Sequence, residues 1–471
     1  VEAANKDGAT PLHVACCNGH EACVRAMLGA GANKEAAEKN GATPLYIACQ
    51  NGHAPCARAL LDAGANKEAA QKNGAAPLHA ACGFGHEACV RALLDTGANK
   101  EAADKYGATP LYAACQQGHE ACVRVLLGAG ANREAMQKDS VTPLYIACQE
   151  GHEACVRAML DAGANKEAAD FDGWTSLHAA CSRGHEACVR TLLGAGANRD
   201  AAEKNGATPL YIACSNGHAA CMRALLGAGA NKDAANKYDT TPLYIACLNG
   251  QDACVRVLLG AGANKDAAKT GGYTPLYISC QHGYEACVRA LLDAGANKEA
   301  ADLGRCTPLY IACQNGHETC VLAMLDAGAN KEAANKYGTR PLYAACCGGH
   351  VACVRALLAA GANKDAANKY GARPLFIACC GGYEACVRAL LGAGANTDAA
   401  MTGGQTSLFI ACQRGHEACV RALLDAGANQ EAVNIDGWTP LHAAHSNGHA
   451  ACVRALLHAG SHRGAVMQHV C

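Results

Sequence analysis

Cysteine and histidine recur together along this chain: Cys49, His53 and Cys56 are followed by Cys148, His152, Cys155 and by Cys412, His416, Cys419. Thiolate and imidazole at such short spacing are the donor types of zinc sites. Three donors fall one short of a closed structural site, and no C-x-x-C pair is present. Gln251, Tyr284 and Tyr383 take the place of the histidine in three copies, and His445 that of the first cysteine in the last. A Cys/His nucleophile and base meets the same objection, because a nucleophile is one residue in one site with an orienting partner. Here the candidates are interchangeable copies. No phosphate-cradling loop, dinucleotide fingerprint or H-E-x-x-H helix occurs. The residues therefore predict no enzyme: no catalytic residue, no cofactor-binding residue and no metal ligand.

The 32 cysteines follow the same recurrence, one in the register of Cys49 and one in that of Cys56. A disulfide framework places cysteines where loops need stapling. These lie inside apolar patterns, as small core fillers, and point to reduced thiols in an intracellular protein. Three doubled sites, Cys16-Cys17, Cys346-Cys347 and Cys379-Cys380, each put a second thiol toward the same face, with redox sensing or metal capture there as an alternative reading.

The elements that position these residues repeat every 33 residues, with T-P-L-H or T-P-L-Y type motifs starting at 10, 43, 76, 109, 142, 175, 208, 241, 274, 307, 340, 373, 406 and 439. Within residues 40–70, Gly41 marks a turn and Thr43-Pro44 opens a helix, with Thr as cap and Pro where its missing N–H costs nothing. Leu45, Ile47, Ala48 and Cys49 form its apolar side, and Gly52 breaks it. A second helix of about ten residues runs through Cys56, Leu60 and Leu61 to a Gly64 cap. One such unit cannot hide its apolar faces alone, so stacking on neighbours must stabilise it. Glu21–Arg25, Glu87–Arg91 and Glu186–Arg190 place opposite charges four apart on a solvated helix face.

This pattern resembles the ankyrin repeat, which has this length, a T-P-L-H-x-A core and a turn followed by two helices. The match is closest at Thr10-Pro11-Leu12-His13-Val14-Ala15 and at Thr439-Pro440-Leu441-His442-Ala443-Ala444, with Gly19-His20 and Gly31-Ala32-Asn33 as further elements. The resemblance covers essentially the whole chain. It implies an all-α solenoid of stacked helix-turn-helix units joined by hairpin loops. Its hairpin tips and first helices would line a concave, protein-binding face. The expected solenoid spans 1–460, with 461–471 as a short C-terminal tail. Departures are systematic: Tyr46 and Phe376 stand for the family's His, Lys34 and Arg133 for its Val, and Glu35 and Asp200 for a hairpin Asn. The last change puts hydroxylation of that Asn in doubt. Ser176 and Ser407 replace the helix-starting Pro. Ser140, Asp239 and Arg305 replace the tip Gly, which predicts three less tightly turned tips.

Positions that must pack are constant between copies, so the exceptions mark where a partner would bind. Binding hot spots favour Trp, Tyr and Arg. Trp174 and Trp438 share one tip register, with Phe171 and Ile435 three residues before them, and Tyr273 falls where the tryptophans do. Tyr106, Tyr238, Tyr337 and Tyr370 share another, and Phe84 follows a first helix. These ten residues are the partner-binding candidates, with local packing against the next tip as the alternative for each. The tyrosines of the Tyr46 register read as core.

Forty basic and 41 acidic residues nearly cancel, so no overall field attracts nucleic acid or an acidic membrane. No apolar run approaches the roughly 18 residues of a membrane span. The chain starts at Val1 in mid-hairpin, which reads as a fragment, while the decay of the pattern at Gly460-Ser461 reads as a true C-terminus. The expected function is a non-catalytic, monomeric scaffold, cytoplasmic or nuclear, that needs no cofactor and binds other proteins. The alternatives are the targeting arm of a larger enzyme or channel, and an elastic spacer without a dedicated partner.

Overall fold

The computed structural model describes residues 3–468, and side chains through residue 459. Twenty-eight helices come in pairs, and no strand occurs among the described residues, only the isolated bridges Ala169–Thr175 and Lys269–Tyr273. In one repeat the first helix is Pro44–Gln50 and the second Ala54–Asp62. Thr43 caps the first: its Oγ1 accepts the Tyr46 N–H at 3.3 Å. Where serine replaces proline, the helices Ser176–Arg183 and Ser407–Arg414 still begin in register, since the N–H at that position lacks an intrahelical partner in any case. Gly52 and Gly64, both at φ +77°, turn the chain after each helix.

Helices this short gain stability from packing, not propensity. Leu45, Leu60, Cys49 and Cys56 have no exposed surface, and burying each leucine contributes about 1.5–3 kcal/mol. The chain divides into two compact units, Val1–Lys237 and Tyr238–Cys471, each with seven helix pairs. Inside each unit, first helices pack on first helices and second on second. The last helix, Ala450–Gln468, continues beyond the usual second-helix length.

Polar rungs fix the spacing between repeats. Most hairpin tips donate to the one before: Lys72 N–H to Asn40 O at 2.9 Å, Lys369 N–H to Tyr337 O at 3.1 Å. A carboxylate rung runs beside it, with the Asn66, Asn99 and Asn132 N–H groups donating to Glu35, Glu68 and Glu101 Oε1 at 2.8–2.9 Å. Asp200 does the same for the Asn231 N–H at 2.8 Å. Glu and Asp therefore replace the hairpin Asn because a carboxylate reaches the next repeat. The basic residue before them lies along the next repeat as well: Lys298 Nζ donates to Ala327 O at 2.6 Å, and Lys67 donates to Thr96 O.

Ser140, Asp239 and Arg305 do not loosen their tips. They hold φ of +59°, +55° and +62°, the same left-handed turn that glycine adopts elsewhere. Hydrogen bonds across the turn, such as Ser140 N–H to Gln137 O at 3.0 Å and Arg305 N–H to Asp302 O at 2.8 Å, keep the geometry. The side chain instead carries the backbone strain of that region.

Candidate protein-binding face

The cysteines and histidines that could have carried chemistry are committed to the stack. His53 Nε2 donates to Cys17 O at 3.0 Å, and its ring lies so close to Gly19 that a Cβ there would stand 2.5 Å from Nδ1. His86 repeats both contacts, with Gln50 O at 2.9 Å and Gly52. The Gly-His element is thus a lock between repeats, and Tyr284 and Tyr383 fill the same place against Gly250 and Gly349. His13 accepts the Thr10 N–H at Nδ1 (3.1 Å) and donates from Nε2 to Ala42 O (3.2 Å). In some copies where tyrosine replaces that histidine, its hydroxyl reaches the next tip: Tyr277 to Asp302 at 3.2 Å, Tyr310 to Thr339 at 3.1 Å. Most tyrosines of this register are buried, Tyr46 at 6% exposure.

Among the described residues no cysteine is joined in a disulfide, and most are buried. Burial pushes Cys16 and Cys155 up to about 12, with neighbouring thiols adding to it at Cys16 and Glu120 at Cys155. Such thiols are poor nucleophiles. The doubled sites differ, since Cys17 and Cys347 are exposed and Cys380 half-buried. No three His, Cys, Asp or Glu side chains converge in a ligating cluster among the described residues.

The hairpin tips offer a different surface. Phe171 (65%), Ile435 (83%) and Trp438 (46%) are exposed, whereas Trp174 is half-buried against His178, ring centroids 5.8 Å apart. Trp438 rests on His442 at 6.4 Å in the same way. Local packing therefore covers one side of each tryptophan and leaves the other to solvent. Asp170 Oδ1 accepts the Trp174 N–H at 2.9 Å, and Asn434 Oδ1 accepts that of Trp438 at 2.9 Å, fixing both tips. Tyr273 leans on Tyr277 at 5.1 Å, beside Tyr244 and Lys269, and the four line a shallow hollow. Tyr337 and Tyr370 are exposed on consecutive tips joined through Lys369 N. Tyr106 and Tyr238 are exposed on tips of their own. Phe84 is exposed at the far end of its first helix, Pro77–Gly83, away from the tips.

Three further exposed residues belong to this surface. Leu303 (85%) occupies the register of Phe171 and Ile435, so the three large apolar side chains recur every fourth repeat at a position usually held by Lys. Its N–H bonds to Gly271 O at 3.1 Å, which sets it on the tip after Tyr273. Met136 and Val433 share a register that is otherwise Ala, and Val433 joins Ile435 and Trp438 on one hairpin. Comparing copies position by position reveals all three, but aromatic content alone does not.

The ankyrin repeat family model, described as three tandem copies, matches residues 1–71, 66–137, 127–203, 188–269, 258–335, 327–401 and 392–465. The chain belongs to the ankyrin repeat family. Its all-α solenoid is that of a typical protein–protein interaction module, a fold that generally serves as a non-catalytic scaffold. Among solved structures it is similar to the human ASB11 ankyrin repeat domain, at 31% identity over 47% of this chain and 99% of that one, TM-score 0.43. The ankyrin repeat domain of Bcl-3, described as a unique member of the IkappaB protein family, aligns at 31% identity over 47% and 100%, TM-score 0.41. None of the curated proteins matches. Among the described residues no helix is long and apolar enough to cross a membrane.

Proposed function

We propose that this ankyrin repeat protein is a non-catalytic scaffold whose specificity lies in its exceptional hairpin tips. The module comprises residues 1–460, with 461–471 as a tail. The observation that supports this reading is the contrast between copies. Registers that stack are near-constant and buried, while Phe171, Leu303, Ile435 and Trp438 place large apolar surface in solvent where most other copies carry Lys, Ala or Thr. An apolar side chain on a tip gains nothing from the repeat's own core and gains substantially from a partner's pocket. The tip tyrosines, Tyr106 in the first unit and Tyr238, Tyr273, Tyr337 and Tyr370 in the second, are further contacts of the same kind, with Phe84 as a separate one. Near-neutral overall charge favours protein over nucleic acid as ligand. A cytoplasmic or nuclear location accords with buried thiols that form no disulfide.

Affinity capture from cell extract tests the reading, comparing the native chain with a Trp174→Ala, Trp438→Ala double variant. Proteins recovered by the first and lost from the second are the expected result. Identical recovery contradicts the assignment.

A further inference from the structure

Hairpin loops of this chain differ sharply in charge. Taken from the residue after each Gly-Ala-Asn element to the residue before the next first helix, the loops carry net charges between −2 and +1, with two exceptions. Residues 331–340 and 364–373 each hold three cations and one carboxylate, for +2 apiece. They are consecutive, lie in the second unit and share the sequence Lys-Tyr-Gly-x-Arg-Pro-Leu, which no other repeat contains. The loops on either side are neutral (298–307) and −1 (397–406).

The two arginines are half-buried and bridge consecutive tips, while the two lysines above them face solvent. Arg340 Nε stands 3.3 Å from Glu332 Oε2 and its Nη1 donates to Ala367 O at 3.4 Å. Arg373 makes the equivalent bond one repeat later, Nη1 to Ala400 O at 3.3 Å, with Nε donating to Asp365 O at 3.1 Å. Both guanidiniums are thus held in one orientation, each tied to a carbonyl of the next repeat. Glu332 and Asp365 accept the Asn363 and Asn396 N–H groups at 2.7 and 2.9 Å, and their second oxygens face Arg340 and Lys364, Lys364 Nζ at 3.9 Å from Asp365 Oδ2. Above them Lys336 and Lys369 are exposed, and Lys336 Nζ lies 5.1 Å from the Tyr337 ring centroid. Tyr337 (49%) and Tyr370 (58%) present their rings beside the cations.

We propose that these two hairpins form a docking site for an extended acidic peptide segment of a partner protein. The proposal rests on the reading of the tips as partner contacts and names the chemistry that one pair of them selects. Stacked repeats set the two cation groups about 10 Å apart, which an extended chain covers in about three residues at roughly 3.3 Å each. Carboxylates spaced by three would each meet an Arg–Lys pair in charge-assisted bonds, and an apolar side chain between them would lie on the tyrosine rings. Nucleic acid fits less well: the basic strip is only two repeats long and the chain as a whole carries a charge of −1.

Fluorescence anisotropy on the full chain tests this, with three probes: a peptide bearing Glu at every third position and Leu between, its Gln analogue, and a single-stranded oligonucleotide. Arg340→Thr with Arg373→Thr installs the residue that most other repeats carry there, so folding is preserved. The expected result is binding of the Glu peptide alone, at least about tenfold weaker in the double variant and at raised salt, and unchanged in a Lys72→Ala, Lys105→Ala control. No binding of the Glu peptide, equal affinity in the arginine variant, or tighter binding of the oligonucleotide overturns the proposal. If the tryptophan variant still changes capture from extract while the Glu peptide fails to bind, this inference alone falls. If neither readout responds, the reading of the tips falls with it.

Discussion

At the scale of single residues, the tip position shows how one φ angle decides what is tolerated. Gly41 sits at φ +90°, and a Cβ there would stand 3.1 Å from Lys72 N. A Gly41→Ala change is expected to destabilise its repeat by about 1–2 kcal/mol. Arg305 already occupies the equivalent place at φ +62°. Arg305→Gly should therefore stabilise by about 0.5–1 kcal/mol, the relief of left-handed strain less the greater chain entropy of glycine. Urea unfolding of both variants checks the pair, since opposite shifts of the midpoint are required. The residue types at these tips were plain from the sequence, but their conformation was not. A missing glycine suggested a looser turn, yet hydrogen bonds across the tip and to its neighbour hold the turn and strain the residue instead.

At the scale of the element, rungs between repeats take over. Removing the Glu101 carboxylate with Glu101→Ala leaves the Asn132 N–H without its acceptor, at a cost of about 1 kcal/mol. Faster amide exchange at Asn132, with little change at Asn66, is the expected signature. The buried histidines make the same layer sensitive to acid. Burial lowers the pKa of His79 and of His178, with backbone and carboxylate contacts opposing it only in part. Both rings are thus neutral in the fold and take up a proton more readily when unfolded. Stability is then full above the unfolded value of about 6.5 and falls as pH drops from there toward the folded values. Replacing both by Tyr, the residue of most other copies, should flatten that fall between pH 7 and 5. Helix pairs, caps and the glycine breaks were legible from the 33-residue pattern because each is local. The rungs were not: Glu35 and Lys67 look like ordinary solvated charges until the next repeat is set beside them.

At the scale of the whole molecule, cysteine burial separates packing from reactivity. Thiol labelling of the native protein should modify Cys17, Cys23 and Cys347 first and Cys306 and Cys380 more slowly, reaching the buried ones only on unfolding. Peptide mapping by mass spectrometry reads this directly, and early labelling of Cys49 or Cys89 would contradict the packing described here. The candidate surface was half legible. Trp438 and Ile435 announced themselves by type, whereas Leu303 and Val433 needed comparison with their registers, and half-burial of Trp174 on His178 needed the structure. The central claim is that such tips bind partners rather than hold the stack together. The most direct test pairs two readouts on one variant, Ile435→Lys with Trp438→Ala, which restores the residues common in other copies. Unfolding free energy is expected to change by no more than about 1 kcal/mol while captured partners are lost. Retention of every partner, or a stability loss of several kcal/mol, would contradict it.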